Sequence, residues 1–276
     1  MKRFGSCWKC RKDVMNMSAL PVEERNNVIP FEVIKKENKQ PKLKNDGTEK
    51  KTPNNNKEDR WVHPIRNKED IKRILEYLHE KPSTATRMDT MMAAYRNELL
   101  FAIGINVGLR VSDLITLKWE NIFESDMKTF RDSSTKIEQK TGKSKNICPN
   151  KCMQKYVLEY LKNTGIEPKE GEYVFIGSRK DKDGKYQHIQ DGIVEKMMKD
   201  IQENCNLGYN VNTHSLRKSF AFHQFTMLSG KGDILALEKV QKALNHRNSS
   251  DTLRYLGITR DENIKNSMEL GEYWDL

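Results

Sequence analysis

His214, Arg217, His246 and Tyr255 fall within a stretch of 42 residues, and Arg110 stands upstream in the run Gly108-Leu109-Arg110-Val111-Ser112-Asp113-Leu114. Together they supply a nucleophilic hydroxyl, two guanidinium groups and two imidazoles, with no metal-ligand cluster among them. That set suits attack on a phosphodiester. Each arginine can grip non-bridging phosphate oxygens with a planar fork of donors, as a lysine cannot. Donors fixed around those oxygens stabilise the charge that builds at a pentavalent transition state. A tyrosine hydroxyl is a poor nucleophile at neutral pH, so it needs a nearby base and a cationic surround.

Taken singly, each residue has a plainer reading. Arg110 could pair with Asp113 at a helix start, a surface contact of little energetic worth. Lys140 and Lys143 could be turn cations beside Gly142, His214 a helix cap and His246 a solvated side chain. Tyr255, in the amphipathic segment Leu253-Arg254-Tyr255-Leu256, could be core. Their joint occurrence is what favours chemistry.

The elements that must carry these groups are mostly helical. Asn67 can cap a helix that places Ile71, Ile74, Leu75 and Leu78 on one face. A second helix spans about 88–107, closes at Gly108 and delivers Arg110 just beyond its end. Short strands are expected near 121–148, with Lys140-Thr141-Gly142-Lys143 as a hairpin turn. A helix over about 151–163 precedes Gly165, and Tyr173-Val174-Phe175-Ile176 reads as a buried extended segment. Helices resume near 191–204, 214–228, 234–244 and 249–256, with a last one near 261–270. The expected fold class is mostly α with one small antiparallel sheet.

The words around these residues are specific. The segment from Leu99 to Trp119 resembles the first catalytic-arginine box of the tyrosine recombinases, the phage-integrase family. Thr213-His214-Ser215-Leu216-Arg217 resembles its His-x-x-Arg box. Leu244-Asn245-His246 and Thr252-Leu253-Arg254-Tyr255 resemble the last box, and Ile137-Glu138-Gln139-Lys140-Thr141-Gly142-Lys143 resembles the hairpin that presents the family's lysine. The resemblance implies the tyrosine-recombinase catalytic fold over 61–270.

It also implies roles. Tyr255 would attack the scissile phosphate, leaving a 3′-phosphotyrosyl link and a free 5′-hydroxyl. Arg110 and Arg217 would clamp the non-bridging oxygens, His246 would add a donor, and His214 would help take the tyrosine proton. Lys140 would protonate the departing 5′-oxygen, with Lys143 the substitute if the hairpin register shifts. Asp113 would orient a catalytic group, and Lys143, Lys145, Lys218 and Arg254 would contact DNA. The covalent link conserves the bond energy, so no metal or other cofactor is expected. Implied partners are double-stranded DNA, further copies of the chain (a tetramer on paired sites) and an accessory DNA-bending protein. A catalytically silent DNA-binding regulator with the same fold is the alternative.

Composition fits these expectations. Formal charge is +10 over 276 residues, which suits a polyanionic partner. Residues 1–60 hold 15 Lys/Arg against 9 Asp/Glu, leaving only +4 to the remainder, so a catalytic part must gather its basic groups on one face. Segment 35–59 lacks apolar periodicity and reads as a disordered linker, which makes 1–60 a basic, largely disordered extension. With so little ahead of Trp61, the chain resembles the short recombinases that are nearly catalytic domain alone. The tail 271–276, with Trp274 and Leu276 among acids, is expected to exchange between protomers. No run of about 20 apolar residues argues for a membrane span. Five cysteines fit reduced thiols and a cytoplasmic, nucleoid-associated setting. Cys7 and Cys10 have the spacing of half a zinc knuckle, but no second pair lies nearby.

Overall fold

A computed structural model describes residues 61–257 and 269–270 of the chain. An extended segment, 61–67, leads into α1 (Lys68–Thr84), where the Asn67 side chain accepts from Glu69 N–H. Then come α2 (Met88–Val107), the short α3 (Val111–Ile115), a single 3-10 turn (Trp119–Asn121) and the hairpin β1 (Ser134–Ile137) and β2 (Ser144–Ile147). After α4 (Lys151–Thr164) a second hairpin forms from β3 (Ile176–Lys180) and β4 (Tyr186–His188). Four helices follow: α5 (Asp191–Asn204), α6 (Thr213–Ser229), α7 (Ala236–Ala243) and α8 (Ser249–Leu256).

The expected helices are present at close to the expected bounds. Two points differ. Strand pairing makes two separate two-stranded antiparallel sheets among the described residues, not one. Part of the 121–148 stretch is irregular, with the strands confined to its second half. Tyr173–Phe175 is extended and buried at Val174 and Phe175, as read, and runs directly into β3. The 1–60 extension, with Cys7 and Cys10, and the 271–276 tail lie outside the described residues, as does most of the last expected helix. No helix among the described residues is long and apolar enough to cross a membrane.

Two cores hold the domain. The larger gathers Ile74 and Leu78 from α1, the run Leu99–Ile103 from α2, and Trp119, Phe123, Phe175 and Ile201 from later elements. A smaller one joins Ala221 of α6, Val240 of α7, Leu244 at the end of α7 and Leu256 of α8, with Tyr255 packed against it. Between them runs α6, whose residues Ser215, Leu216, Arg217, Lys218 and Ser219 are all buried. A helix enclosed on every side cannot leave those polar groups to water, so each must find a partner on another element.

Candidate active site

The partners of α6 build the site. Arg217, 1% exposed, donates from Nη1 to Gly108 O at 2.6 Å and from Nη2 to Leu244 O at 2.5 Å. The same Nη1 lies 3.5 Å from Glu138 Oε1. One guanidinium therefore ties the end of α2, the β1–β2 loop and the α7–α8 corner together. Its Nε–H lacks an aligned acceptor among the described residues; Tyr255 is close, with the guanidinium carbon 6.0 Å from its ring centroid, but does not meet that geometry.

Each of the three corners carries an expected catalytic residue. Gly108 ends α2 in the left-handed region at φ 60°, where a side chain is disfavoured. A Cβ there would also stand 2.2 Å from Phe220 Cδ1. The reversal turns Arg110 inward at the start of α3, with Nη1 2.7 Å from Glu138 Oε2, close enough to pair though not aligned as a hydrogen bond. Asp113, wholly buried, accepts Gln139 N–H at 2.8 Å, so it orients the hairpin loop.

That loop runs from Glu138 to Lys143 and is closed at both ends by backbone bonds, Glu138 N to Lys143 O and Gly142 N to Glu138 O, each 2.9 Å. Lys140 is exposed at its tip. Lys143 instead donates to Asn245 O at 3.0 Å, and Asn245 Nδ2 returns a bond to Ser144 O at 2.9 Å. Asn245 holds φ 54°, a left-handed turn that aims the next residue, His246, at Tyr255. The His246 ring meets that of Tyr255 edge-on, with centroids 4.7 Å apart, and its Nδ1 lies 3.1 Å from Thr252 Oγ1.

The charge pattern sets protonation. Desolvation lowers the His246 pKa to about 4, helped by Arg217 and Arg110. His214, exposed overall at the α6 N-terminus, is also held below 6.5, by desolvation of its ring and then by Lys218, Arg217, Lys140 and Arg110. Both rings are therefore neutral near pH 7. A neutral ring can accept a proton, which a base for the tyrosine hydroxyl must do. Glu138 goes the opposite way. Desolvation pushes its carboxyl up, yet the Thr141 hydroxyl, Arg110 and Arg217 outweigh that and hold it below its ordinary value.

The structure thus brings Arg110, Asp113, Lys140, His214, Arg217, His246 and Tyr255 to one site. The expected DNA contacts divide. Arg254 is exposed and Lys143 half-buried. Lys145 and Lys218, expected as surface cations, are instead buried and bonded inside the protein. Lys145 donates to Ala243 O and lies over the Phe220 ring, while Lys218 donates to Val62 O at 2.6 Å. Sequence reasoning assigned no role to Glu138, Asn245 or Thr252. Glu138 had one usable signal, an acid two residues before the loop lysine.

Helix order, hairpin position and site together define a tyrosine-recombinase catalytic domain. The phage integrase family model matches residues 66–262, and the chain belongs to that family. It is 30% identical over 200 residues to a probable integrase/recombinase, YoeC, of Bacillus subtilis, covering 72% of this chain and 92% of that one. It is also 30% identical over 165 residues to the tyrosine recombinase XerA of Pyrococcus horikoshii, covering 59% of this chain and 51% of the relative. The fold matches the crystal structure of XerH bound to palindromic difH in a post-cleavage complex, at TM-score 0.52, 18% identity and coverage of 78% and 54%. A XerA recombinase structure matches at TM-score 0.51, 17% identity and coverage of 75% and 63%. The chain spans about half the length of XerA from Pyrococcus and of XerH.

Proposed function

We propose that this protein is a site-specific DNA recombinase that cleaves and rejoins duplex DNA through a covalent 3′-phosphotyrosyl link at Tyr255. One observation carries the reading: the Arg217 guanidinium joins the corners that bear Arg110, Lys140 and His246, and Tyr255 lies against it. Groups far apart in sequence are held in mutual register before any substrate arrives, which is the preorganisation that phosphoryl transfer requires.

In this mechanism Tyr255 Oη forms a bond to phosphorus as the bond to the 5′-oxygen breaks. The phenolic proton passes to His214 and the 5′-oxygen takes one from Lys140. Arg110 and Arg217 hold the non-bridging oxygens, with His246 as a further donor. The choice of Lys140 over Lys143 rests on engagement: Lys143 is tied to Asn245 O, whereas Lys140 stands exposed at the loop tip. Reversal, with a new 5′-hydroxyl as attacker, rejoins the strand. Exchange between sites needs several copies, a tetramer on paired sites, with a DNA-bending protein as accessory. Phosphate contacts, Arg254 among them, would make binding steeply salt-dependent.

The test is covalent trapping. Wild type and Tyr255→Phe are incubated with nicked duplexes from the flanking genome, and products are run on a denaturing gel. A DNA-linked band from wild type alone is expected. Adduct from Tyr255→Phe would remove Tyr255 as nucleophile, and binding without adduct by wild type would favour a silent regulator.

A further inference from the structure

The extended segment that precedes α1 reaches the far end of the nucleophile's helix. We propose that Arg66 is a positioning residue for Tyr255, holding the C-terminus of α8 so that the tyrosine keeps its place in the site. The proposal rests on the reading of Tyr255 as nucleophile.

Arg66 Nη2 donates to Leu256 O at 3.2 Å and to Gly257 O at 3.3 Å, the carbonyls just past Tyr255. Those oxygens have no partner within the helix, and a cation there also meets the negative end of the helix dipole. The help matters because α8 has only eight residues, a length that is marginal without tertiary support. Gly257 is shaped by the same contact. It holds φ 76°, and a Cβ on it would stand 2.2 Å from Arg66 Nη2, so only glycine lets the guanidinium approach.

Arg66 is itself fixed from behind. Its guanidinium carbon lies 5.3 Å from the Phe222 ring centroid of α6. Ile65, wholly buried, donates its N–H to Ser219 Oγ at 2.8 Å, and its carbonyl lies 2.9 Å from His223 Nε2. Val62 O accepts from Lys218, and His63 N–H donates to Asn210 O at 2.9 Å. Lys218 also faces both ends of the arrangement, with Nζ 4.8 Å from the Trp61 ring and 5.9 Å from that of Tyr255. Segment 61–66 is thus a strap fastened along α6 that ends in a clamp on α8. Arg66 touches none of the reacting groups, so its effect on chemistry must pass through helix position.

The experiment compares full-length wild type, Arg66→Gln and Arg66→Lys on a pool of nicked duplexes randomised around the nick. Adduct formation at saturating DNA, DNA affinity, and amide hydrogen exchange over 249–257 are measured. Arg66→Gln should slow adduct formation about tenfold and speed exchange in α8, with affinity little changed. Arg66→Lys, which keeps the charge, should recover part of the rate. Unchanged adduct rate in Arg66→Gln, or equal loss of rate and affinity, would overturn the proposal. Wild type that forms no adduct would overturn the Tyr255 reading instead, and the exchange measurement would still decide whether Arg66 holds the helix.

Discussion

Replacing Glu138 by glutamine keeps the shape and removes the charge, and it should destabilise the DNA-free protein by about 3 kcal/mol at neutral pH. The magnitude follows from what the carboxylate touches. Glu138 has no exposure and is the acid shared by Arg110 and Arg217. Breaking a buried ion pair from one side typically costs about 3–5 kcal/mol, because the other charge stays buried without compensation. The lower end applies here. Arg217 keeps the carbonyls of Gly108 and Leu244, and Arg110 retains 21% of its side-chain exposure.

The pH dependence makes the reasoning specific to charge. The folded-state pKa of Glu138 lies below its ordinary 4.5. A depressed carboxylate contributes stability that is fully present above the unfolded value and is lost as pH falls through the folded one. The gap between wild type and Glu138→Gln should therefore be full at neutral pH and shrink below about pH 4.5. Urea is the suitable denaturant, since guanidinium chloride would screen the charges. A gap under about 1 kcal/mol at neutral pH, or one that does not shrink in acid, would refute the argument.

Two further outcomes follow from buried groups near the arginines. Desolvation, with Arg217 and Arg110 nearby, lowers the Lys145 pKa from 10.5 to about 7. Across that window the unfolded chain binds a proton that the folded protein lacks. Wild-type stability should thus rise with pH relative to Lys145→Met, by up to about 1.4 kcal/mol per pH unit, and parallel urea-melt profiles would refute the burial. Gly108→Ala should cost about 3 kcal/mol in the same melts, from left-handed strain plus displacement of Phe220, and a loss below about 1 kcal/mol would show that the corner yields easily.

Much of the site was legible because its parts sit at punctuated places in the chain. Gly108 marks a helix end, Gly142 a turn and Tyr255 an amphipathic helix, and local sequence declares each of these. What could not be read was set by partners distant in sequence. Lysines are exposed by default, so Lys145 and Lys218 read as surface cations, and only the carbonyls of Ala243 and Val62 explain their burial. The β3–β4 hairpin escaped for a different reason. Residues 178–180 of β3 are exposed and polar, so the strand shows no alternation of apolar and polar positions. Arg66 carries no local signal, because its partners lie about 190 residues away.

The choice of acceptors explains how the site can be both assembled and ready. Arg217 could have been fixed by carboxylates alone, but a fully neutralised guanidinium would have little attraction left for a phosphate. Instead its Nη donors go chiefly to the carbonyls of Gly108 and Leu244, and Lys143 likewise bonds to Asn245 O. A carbonyl satisfies a donor without cancelling its charge. The positive field therefore survives, and its reach is visible in the lowered pKa values of His214 and His246, where the arginines add to desolvation. Glu138 offsets enough of that field for two guanidiniums to lie together in the absence of DNA. An incoming phosphate would then complete a charge balance that the protein leaves open, and the same contacts that hold the three corners would aim them at it.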